Sequence, residues 1–169
     1  QVLVPFCRSL AEAKRVMEML SEEGLPVKGA ITASASSSVG GECGPEGRDD
    51  RLTVNMMLEL PGNVMMMEEL MEVFDGFSIG SNDMAMLCLG VDRDSASLGQ
   101  LYAGVEGGEG MLDESTTRMI TMAIDRARAG RAPIGLCGEA ATDPQLVQRL
   151  LDHGVNYLSV NPSSAVQVM

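Results

Sequence analysis

The sequence predicts an α/β fold, the C-terminal part of a TIM (β/α)8 barrel with about five βα units. Short apolar runs alternate with longer segments of helical periodicity along the 169 residues. The runs have the pattern of buried rather than alternating strands, which is typical of parallel strands covered by helices. No G-x-G-x-x-G or Walker phosphate loop is present, which leaves the barrel among the parallel α/β folds. A full barrel takes about 250 residues and eight strands, so five strands predict part of one.

The first βα unit is predicted at the start of the chain. Val2–Phe6 is a short apolar run that predicts a strand. Ser9 and Glu12 form the S-x-x-E pattern of a capping box, which marks a helix N-terminus. Apolar residues then recur at helical spacing as far as Gly24, a residue that suits a helix end.

The second βα unit follows a segment without a core pattern. Residues 28–50 are rich in Ser and Gly and predict a flexible insertion. Leu52–Leu60 predicts the second strand, and Pro61-Gly62-Asn63 predicts a turn. The turn leads into a Met-rich helix over Val64–Phe74, whose Met65-Met66-Met67 run is expected to pack in the core.

The third βα unit begins with Phe77–Gly80, a buried strand that ends abruptly in polar residues. A helical stretch is predicted after Asp83, followed by a Gly-rich loop over Gly104–Gly110. Asp113–Ala129 predicts a long helix that ends at Gly130.

The last two strands enclose one more helix. Pro133–Cys137 predicts the fourth strand. Asp143 followed by Pro144 predicts a helix cap and first helical residue, and Gly154 ends that helix. Tyr157–Val160 predicts the fifth strand.

Composition excludes several classes of partner. The formal net charge of −12 argues against nucleic acid and against an anionic membrane surface. No apolar run approaches the roughly 20 residues of a membrane span. The four cysteines, Cys7, Cys43, Cys88 and Cys137, have no CxxC spacing, and His153 is the only histidine. This pattern argues against a zinc site and predicts free thiols in a reducing cytoplasm.

Polar residues gather where the predicted strands end. In a barrel the carboxyl ends of the strands form the active site. The candidate residues at these ends are Arg8, Glu59, Gly80, Ser81, Asn82, Asp83, Cys137, Glu139 and Asn161. Two carboxylates, Glu59 and Asp83, suit Mg²⁺, which prefers hard oxygen ligands and keeps several positions for water and substrate. The Cys137 thiol is placed to move a proton at a carbon beside a carbonyl.

Structural roles compete with each of these assignments. Acids at strand ends in βα proteins often cap helices, which would explain Glu59 and Asp83 without a metal. A lone cysteine such as Cys137 is more often a small buried residue than a catalyst. Arg8 could equally cap its helix or pair with an acid, and His153 could simply favour a helix dipole.

Several segments resemble one enzyme family. FDGFSIGSNDM, LGVDRDS, GLCGEA and LSVNP resemble the C-terminal barrel domain of the phosphoenolpyruvate (PEP) synthases, which are pyruvate, water dikinases. VPFCRSLAEAK and MMLELPGNV match the same domain in the same order. Pyruvate phosphate dikinase and enzyme I of the sugar phosphotransferase system are relatives of that family. The resemblance covers nearly the whole chain except residues 28–50 and about 96–112.

The resemblance implies specific residue roles. In this family the domain binds pyruvate or PEP together with Mg²⁺, and a swivelling phosphohistidine domain delivers the phosphoryl group. The metal-binding acids fall on Glu59 and Asp83, and the proton-transferring cysteine falls on Cys137. The substrate-binding residues implied by the resemblance are Glu59, Gly80, Ser81, Asn82 and Asp83.

The chain also departs from the family pattern. Met84-Ala85-Met86 replaces the usual Leu-Thr-Gln, and Asp113-Glu114-Ser115-Thr116 lacks the Arg of the usual Asp-Glu-Arg-Asn. The upstream half-barrel with its phosphate-binding arginines, the phosphohistidine segment and the ATP-binding domain are absent, so the whole of residues 1–169 is expected to be a partial barrel domain that does not turn over alone.

Three hypotheses therefore stand. The first is the pyruvate- and PEP-binding part of a PEP synthase-like phosphotransferase. The second is the corresponding part of pyruvate phosphate dikinase or of the sugar-system enzyme. The third is a non-catalytic assembly module, since family barrels often dimerise through this domain and a homo-oligomer is expected.

Overall fold

The fold is a five-stranded parallel sheet in a computed structural model that describes residues 1–27, 51–92, 95 and 113–165. The predicted insertion at 28–50 and the Gly-rich loop at 104–110 lie outside these residues. The strands, which lie side by side in chain order, are β1 (Val2–Val4), β2 (Val54–Leu58), β3 (Gly76–Gly80), β4 (Ile134–Cys137) and β5 (Tyr157–Ser159). All four strand pairs are parallel. All five predicted strands are confirmed: four are shorter by one or two residues at an end, and β3 begins one residue earlier than predicted.

Each of the strands β1 to β4 is followed by one or more helices in the described part of the chain. They are α1 (Leu10–Glu22), α2 (Pro61–Met65), α3 (Met67–Met71), α4 (Ser81–Leu89), α5 (Glu114–Gly130), a 3-10 turn (Glu139–Thr142) and α6 (Pro144–His153). Parallel strands require such crossover connections, so the order of the elements determines a βα architecture. None of the described helices is long and apolar enough to cross a membrane.

Helix α1 begins with the predicted cap. The Ser9 side chain accepts a hydrogen bond from the Glu12 N–H at 3.2 Å. The Glu12 carboxylate accepts from the Arg8 N–H at 2.7 Å rather than from Ser9, so the reciprocal half of the box is displaced by one residue. Gly24, with φ of +79°, lies just beyond the helix end.

The predicted Met-rich helix is two short helices. Met66 interrupts it with φ of −111° and ψ of 20°, which are not α-helical values. The expectation that all three consecutive methionines pack in the core is wrong, because Met65 is 59% exposed and Met66 is 39% exposed. Only Met67 is fully buried. The break turns the first two methionines outward and keeps the third on the buried face.

Helices α5 and α6 have carboxylate caps. Asp143 accepts from the N–H groups of Gln145 and Leu146, and Pro144 is the first residue of α6, as predicted. Asp113 caps α5 in the same way, but the predicted stop at Gly130 is wrong by one residue. Arg131 takes the left-handed conformation, with φ of 58°, so Gly130 remains helical.

Removing the Asp113 cap is expected to destabilise the fold in a pH-dependent way. Burial tends to raise the pKa of this carboxyl, but hydrogen bonds from Ser115 and Thr116 outweigh burial and lower the pKa below its ordinary value. A lowered pKa stabilises the folded state above the ordinary pKa, and the contribution is lost as pH falls through the folded value. We expect Asp113→Ala to cost about 1 kcal/mol at pH 7, measured by urea unfolding.

Asp113→Asn is the matched control, because Asn also caps helices but carries no charge. Its unfolding free energy should lie close to that of the native chain, and the remaining difference should shrink in acid. A difference that grew as the pH fell would contradict the assignment of the cap charge.

The two faces of the sheet differ in chemistry. One face is apolar and packs against the helices; its fully buried residues include Val54, Met56, Leu58, Phe77, Ile79, Ile134 and Leu136. The other face carries small and polar residues at the paired positions Asn55, Gly76, Ser78 and Gly135. The strands are therefore buried, as predicted, but the two faces have different compositions. At the carboxyl ends of the strands this second face continues into the candidate site.

Candidate active site

The carboxyl ends of the three central strands meet at one edge of the sheet. Gly80, the last residue of β3, pairs with Cys137, the last residue of β4. Glu59 directly follows β2. A Cβ atom on Gly80 would lie 2.8 Å from Glu59 Cγ, so the glycine makes room for the carboxylate side chain. Glu59 and Cys137 are thus brought together across the end of β3.

Glu59 is a buried acid, with 4% of its surface exposed. One carboxylate oxygen, Oε2, accepts a hydrogen bond from the Phe6 N–H at 2.8 Å. Phe6 adopts φ of 48°, an unusual value for a bulky residue, at the end of β1. Burial raises the pKa of the Glu59 carboxyl, the Phe6 N–H opposes this, and the negative charge of Asp83 raises the pKa further.

The prediction that Asp83 directly follows the end of a strand is wrong. Helix α4 begins at Ser81, directly after β3, so Asp83 lies in the first turn of that helix. It is half-buried, and its charge raises the pKa of both Glu59 and Cys137. The helix, which was predicted to start after Asp83, therefore carries this acid to the same end of the sheet as Glu59.

The Cys137 thiol is half-buried beside the two acids. Its sulfur lies 3.2 Å from the carbonyl oxygen of Ile79 and 3.4 Å from Met57 Sδ. Burial raises the pKa of the thiol, a hydrogen bond with Ser78 lowers it, and the charges of Glu59 and Asp83 raise it again. The net effect is a raised pKa, so the thiol holds its proton near neutral pH.

Ser81 and Asn82 bind the end of β4 through their side chains. The fully buried Ser81 hydroxyl donates to the Cys137 carbonyl oxygen at 2.8 Å. The Asn82 amide oxygen accepts from the Glu139 N–H at 3.3 Å. A Cβ on Gly138 would lie 2.4 Å from Ser81 Oγ, and Gly138 has φ of +96°, so only glycine fits between them. These contacts hold the turn after Cys137 against α4.

The first turn of α4 has no side-chain cap. The first N–H groups of a helix have no partner within the helix, and they favour an anion through the helix dipole. Because Gly80 is the N-cap residue, these N–H groups begin where β3 ends, beside Glu59 and Cys137. The turn can therefore accept a carboxylate or phosphate oxygen.

A polar network below the thiol was not found from the sequence. The Tyr157 hydroxyl donates to the Phe77 carbonyl oxygen at 2.6 Å and accepts from the Asn55 amide at 3.3 Å. Ser78 is also hydrogen-bonded to Tyr157, as it is to Cys137. Gly135 was a possible signal, because a Cβ there would lie 2.2 Å from the Tyr157 ring.

The remaining residues named from the sequence lie outside the cluster of Glu59, Asp83 and Cys137. Arg8 is exposed, and its backbone N–H donates to Glu12. Its side chain lines a groove between β1 and α1, so the expected cation does not join the acids. Glu139 and Asn161 are exposed. His153 Nε2 lies 3.0 Å from Asp125 Oδ1, and this contact joins α6 to α5 away from the strand ends.

The acids offer a small set of ligands for a cation. Within the described ranges no group of three or more His, Cys, Asp or Glu side chains is placed to hold a metal ion. Glu59 and Asp83 instead supply two carboxylates, and repulsion from the negative charge of Asp83 raises the pKa of Glu59. A hard divalent cation such as Mg²⁺ fits this pair, because it relieves the repulsion and takes its other ligands from water and substrate.

Fold and site together define a partial (β/α) barrel with an acid and thiol site at the carboxyl ends of its strands. A pyruvate kinase from Cryptosporidium parvum has a similar fold, with a TM-score of 0.58, 12% sequence identity, and coverage of 99% of this chain and 30% of that chain. The five strands and their helices are thus part of a TIM barrel.

The chain belongs to the PEP-utilising enzyme family, in its PEP-binding domain, which matches residues 1–169. It is 34% identical over 168 residues to the PEP synthase of Synechocystis, covering 99% of this chain and 17% of that protein. It is 34% identical over 170 residues to the PEP synthase of Aquifex aeolicus, covering 100% of this chain and 17% of the relative. The Escherichia coli PEP synthase is 33% identical over 168 residues, with 99% of this chain and 18% of that protein covered. The chain thus spans about a sixth of the length of these relatives.

Proposed function

We propose that this domain is the pyruvate- and PEP-binding part of a PEP synthase-like phosphotransferase. The observation that carries the proposal is the meeting of Glu59, Asp83 and Cys137 at the end of β3. Relatives named PEP synthase support this reading over pyruvate phosphate dikinase or the sugar-system enzyme.

Each residue has a role that follows from its position. Glu59 and Asp83 would hold Mg²⁺, which when bound supplies positive charge against the negative charge that develops on substrate oxygens. The N–H groups at the start of α4, near Gly80 and Ser81, would receive a substrate carboxylate or phosphate oxygen. Asn82 would lie at the margin of this substrate site, with its amide oxygen bound to Glu139.

The Cys137 thiol would act on carbon. In the direction of pyruvate formation its S–H bond breaks, the proton joins C3 of the enolate, and the C2 carbonyl re-forms. In the direction of PEP formation the thiol first releases its proton to water. The thiolate then takes a proton from the methyl group, and the enolate oxygen accepts the phosphoryl group from phosphohistidine. Because its pKa is raised, the thiol holds the proton that the first direction needs.

The rest of the reaction would lie on other parts of a longer protein. We propose that an upstream half-barrel, a phosphohistidine domain and an ATP-binding domain complete the enzyme, and that the barrel also mediates homo-oligomer contacts. The full reaction would convert pyruvate, ATP and water into PEP, AMP and phosphate. Free thiols at Cys7, Cys88 and Cys137 support a reducing, cytoplasmic setting.

Calorimetry with oxalate, a mimic of the enolate, tests the proposal on the full-length gene product. We expect oxalate to bind in the presence of Mg²⁺ and to lose at least about tenfold in affinity when the metal is removed with a chelator, since a ligand held through a metal depends on it. Oxalate binding that does not depend on Mg²⁺ would contradict the metal assignment. No oxalate binding at all would favour the assembly module.

A further inference from the structure

Met57 forms the wall beside the candidate thiol. It lies two residues before Glu59 on the same side of the chain, because side chains in a strand alternate between faces. From β2 its side chain extends across β3 and reaches Cys137 on β4, where the two sulfur atoms are 3.4 Å apart. It can cross β3 because a Cβ on Gly80 would already contact Met57 Cγ and Sδ at 3.4 Å.

The contact between the sulfur atoms leaves no space for another atom between them. The neighbours of Met57 on this face are small: Gly80 has no side chain, and Ser78 is buried and bonded to the thiol. Met57 is therefore the bulky apolar group next to the atom that would exchange a proton with carbon. Any carbon that approaches Cys137 Sγ must fit beside the Met57 thioether.

We propose that Met57 limits the substrate to a three-carbon 2-oxo acid, an inference that rests on the proposed function. Glu59 and Asp83 lie beyond Met57 at the end of the sheet, where a cation that they hold and the first N–H groups of α4 would take the carboxylate and carbonyl oxygens of the substrate. Its C3 carbon then points toward Cys137 and Met57. A methyl group fits beside the thiol, whereas an ethyl group collides with the thioether. The residue thus selects pyruvate over longer unbranched 2-oxo monocarboxylates.

Hydrogen exchange at C3 in D₂O tests this selection on the full-length gene product with Mg²⁺. Pyruvate and 2-oxobutanoate are compared for the native protein, Met57→Ala and Met57→Leu. The native protein should exchange pyruvate faster. Met57→Ala should raise the ratio of 2-oxobutanoate to pyruvate exchange at least about tenfold, the usual discrimination from one methylene group. Met57→Leu conserves volume and should change that ratio by less than about threefold.

Oxalate affinity is the fold control, because oxalate has no C3 carbon and should bind all three proteins alike. Equal exchange of both acids by the native protein, or an unchanged ratio in Met57→Ala with normal oxalate binding, would overturn the role of Met57 and leave the proposed function intact. Failure of the native protein to exchange pyruvate at all would overturn the proposed function and this inference with it.

Discussion

Replacing Glu59 by Gln is expected to abolish metal-dependent oxalate binding without lowering the thermal stability of the ligand-free protein. The amide keeps an oxygen that can accept from the Phe6 N–H, as Oε2 does now at 2.8 Å. It removes the negative charge that burial and the nearby Asp83 disfavour. The same charge is what a cation needs, so Mg²⁺-dependent affinity should fall by more than the roughly 10- to 100-fold typical of outer partners of a metal site.

Calorimetry and thermal unfolding measure the two effects separately. Glu139→Gln is the matched control, since Glu139 is an exposed acid at the same end of the sheet and only its N–H contacts Asn82. It should leave affinity and melting temperature unchanged. If Glu59→Gln bound Mg²⁺ and oxalate as the native protein does, Glu59 would be only a structural partner of Phe6.

Replacing Cys137 by Ala is expected to stop proton exchange at the methyl group of pyruvate while oxalate still binds. The thiol is the group beside both acids that can carry a proton to carbon, and general acid–base groups contribute about 10²- to 10⁴-fold. Exchange in D₂O should therefore fall by at least about 100-fold in the full-length gene product. The oxalate affinity should change by less than about threefold, since the carboxylates and the start of α4 remain in place.

Cys88→Ala provides the comparison, because Cys88 is also a free, half-buried thiol but lies near the end of α4. Its loss should leave exchange unaffected. Exchange that persisted in Cys137→Ala would remove the proton-transfer role and leave only a binding site.

The sequence predicted the strands well because each is a short, mostly apolar segment that alternates with a longer segment of helical periodicity. Its errors lie where helices begin and break. The sequence predicts the third helix only after Asp83, since Ser81, Asn82 and Asp83 have weak helix propensity, yet β3 leads directly into α4 at Ser81. Met84 and Ala85, which depart from the family pattern, are buried in the core and belong to that helix.

The candidate site was predictable as a set of strand-end residues but not as a geometry. Residue types placed Glu59 and Cys137 at the correct edge, because parallel strands present their carboxyl ends together. The roles of Phe6 and Tyr157 depend on contacts between residues 53 and 80 positions apart in the chain. No local pattern encodes such contacts, so the backbone support of Glu59 and the network below the thiol required the structure.

The close approach of Tyr157 to Gly135 constrains how this domain can diverge. No side chain larger than hydrogen can stand at position 135 while the ring occupies its present place, because even a methyl carbon would overlap it. A side chain at position 135 therefore requires a change at position 157, whereas Gly135 is compatible with a smaller residue there. A homologue that has lost the glycine should also have lost the aromatic ring. It would then lack the hydroxyl that donates a hydrogen bond from β5 to the Phe77 carbonyl oxygen on β3.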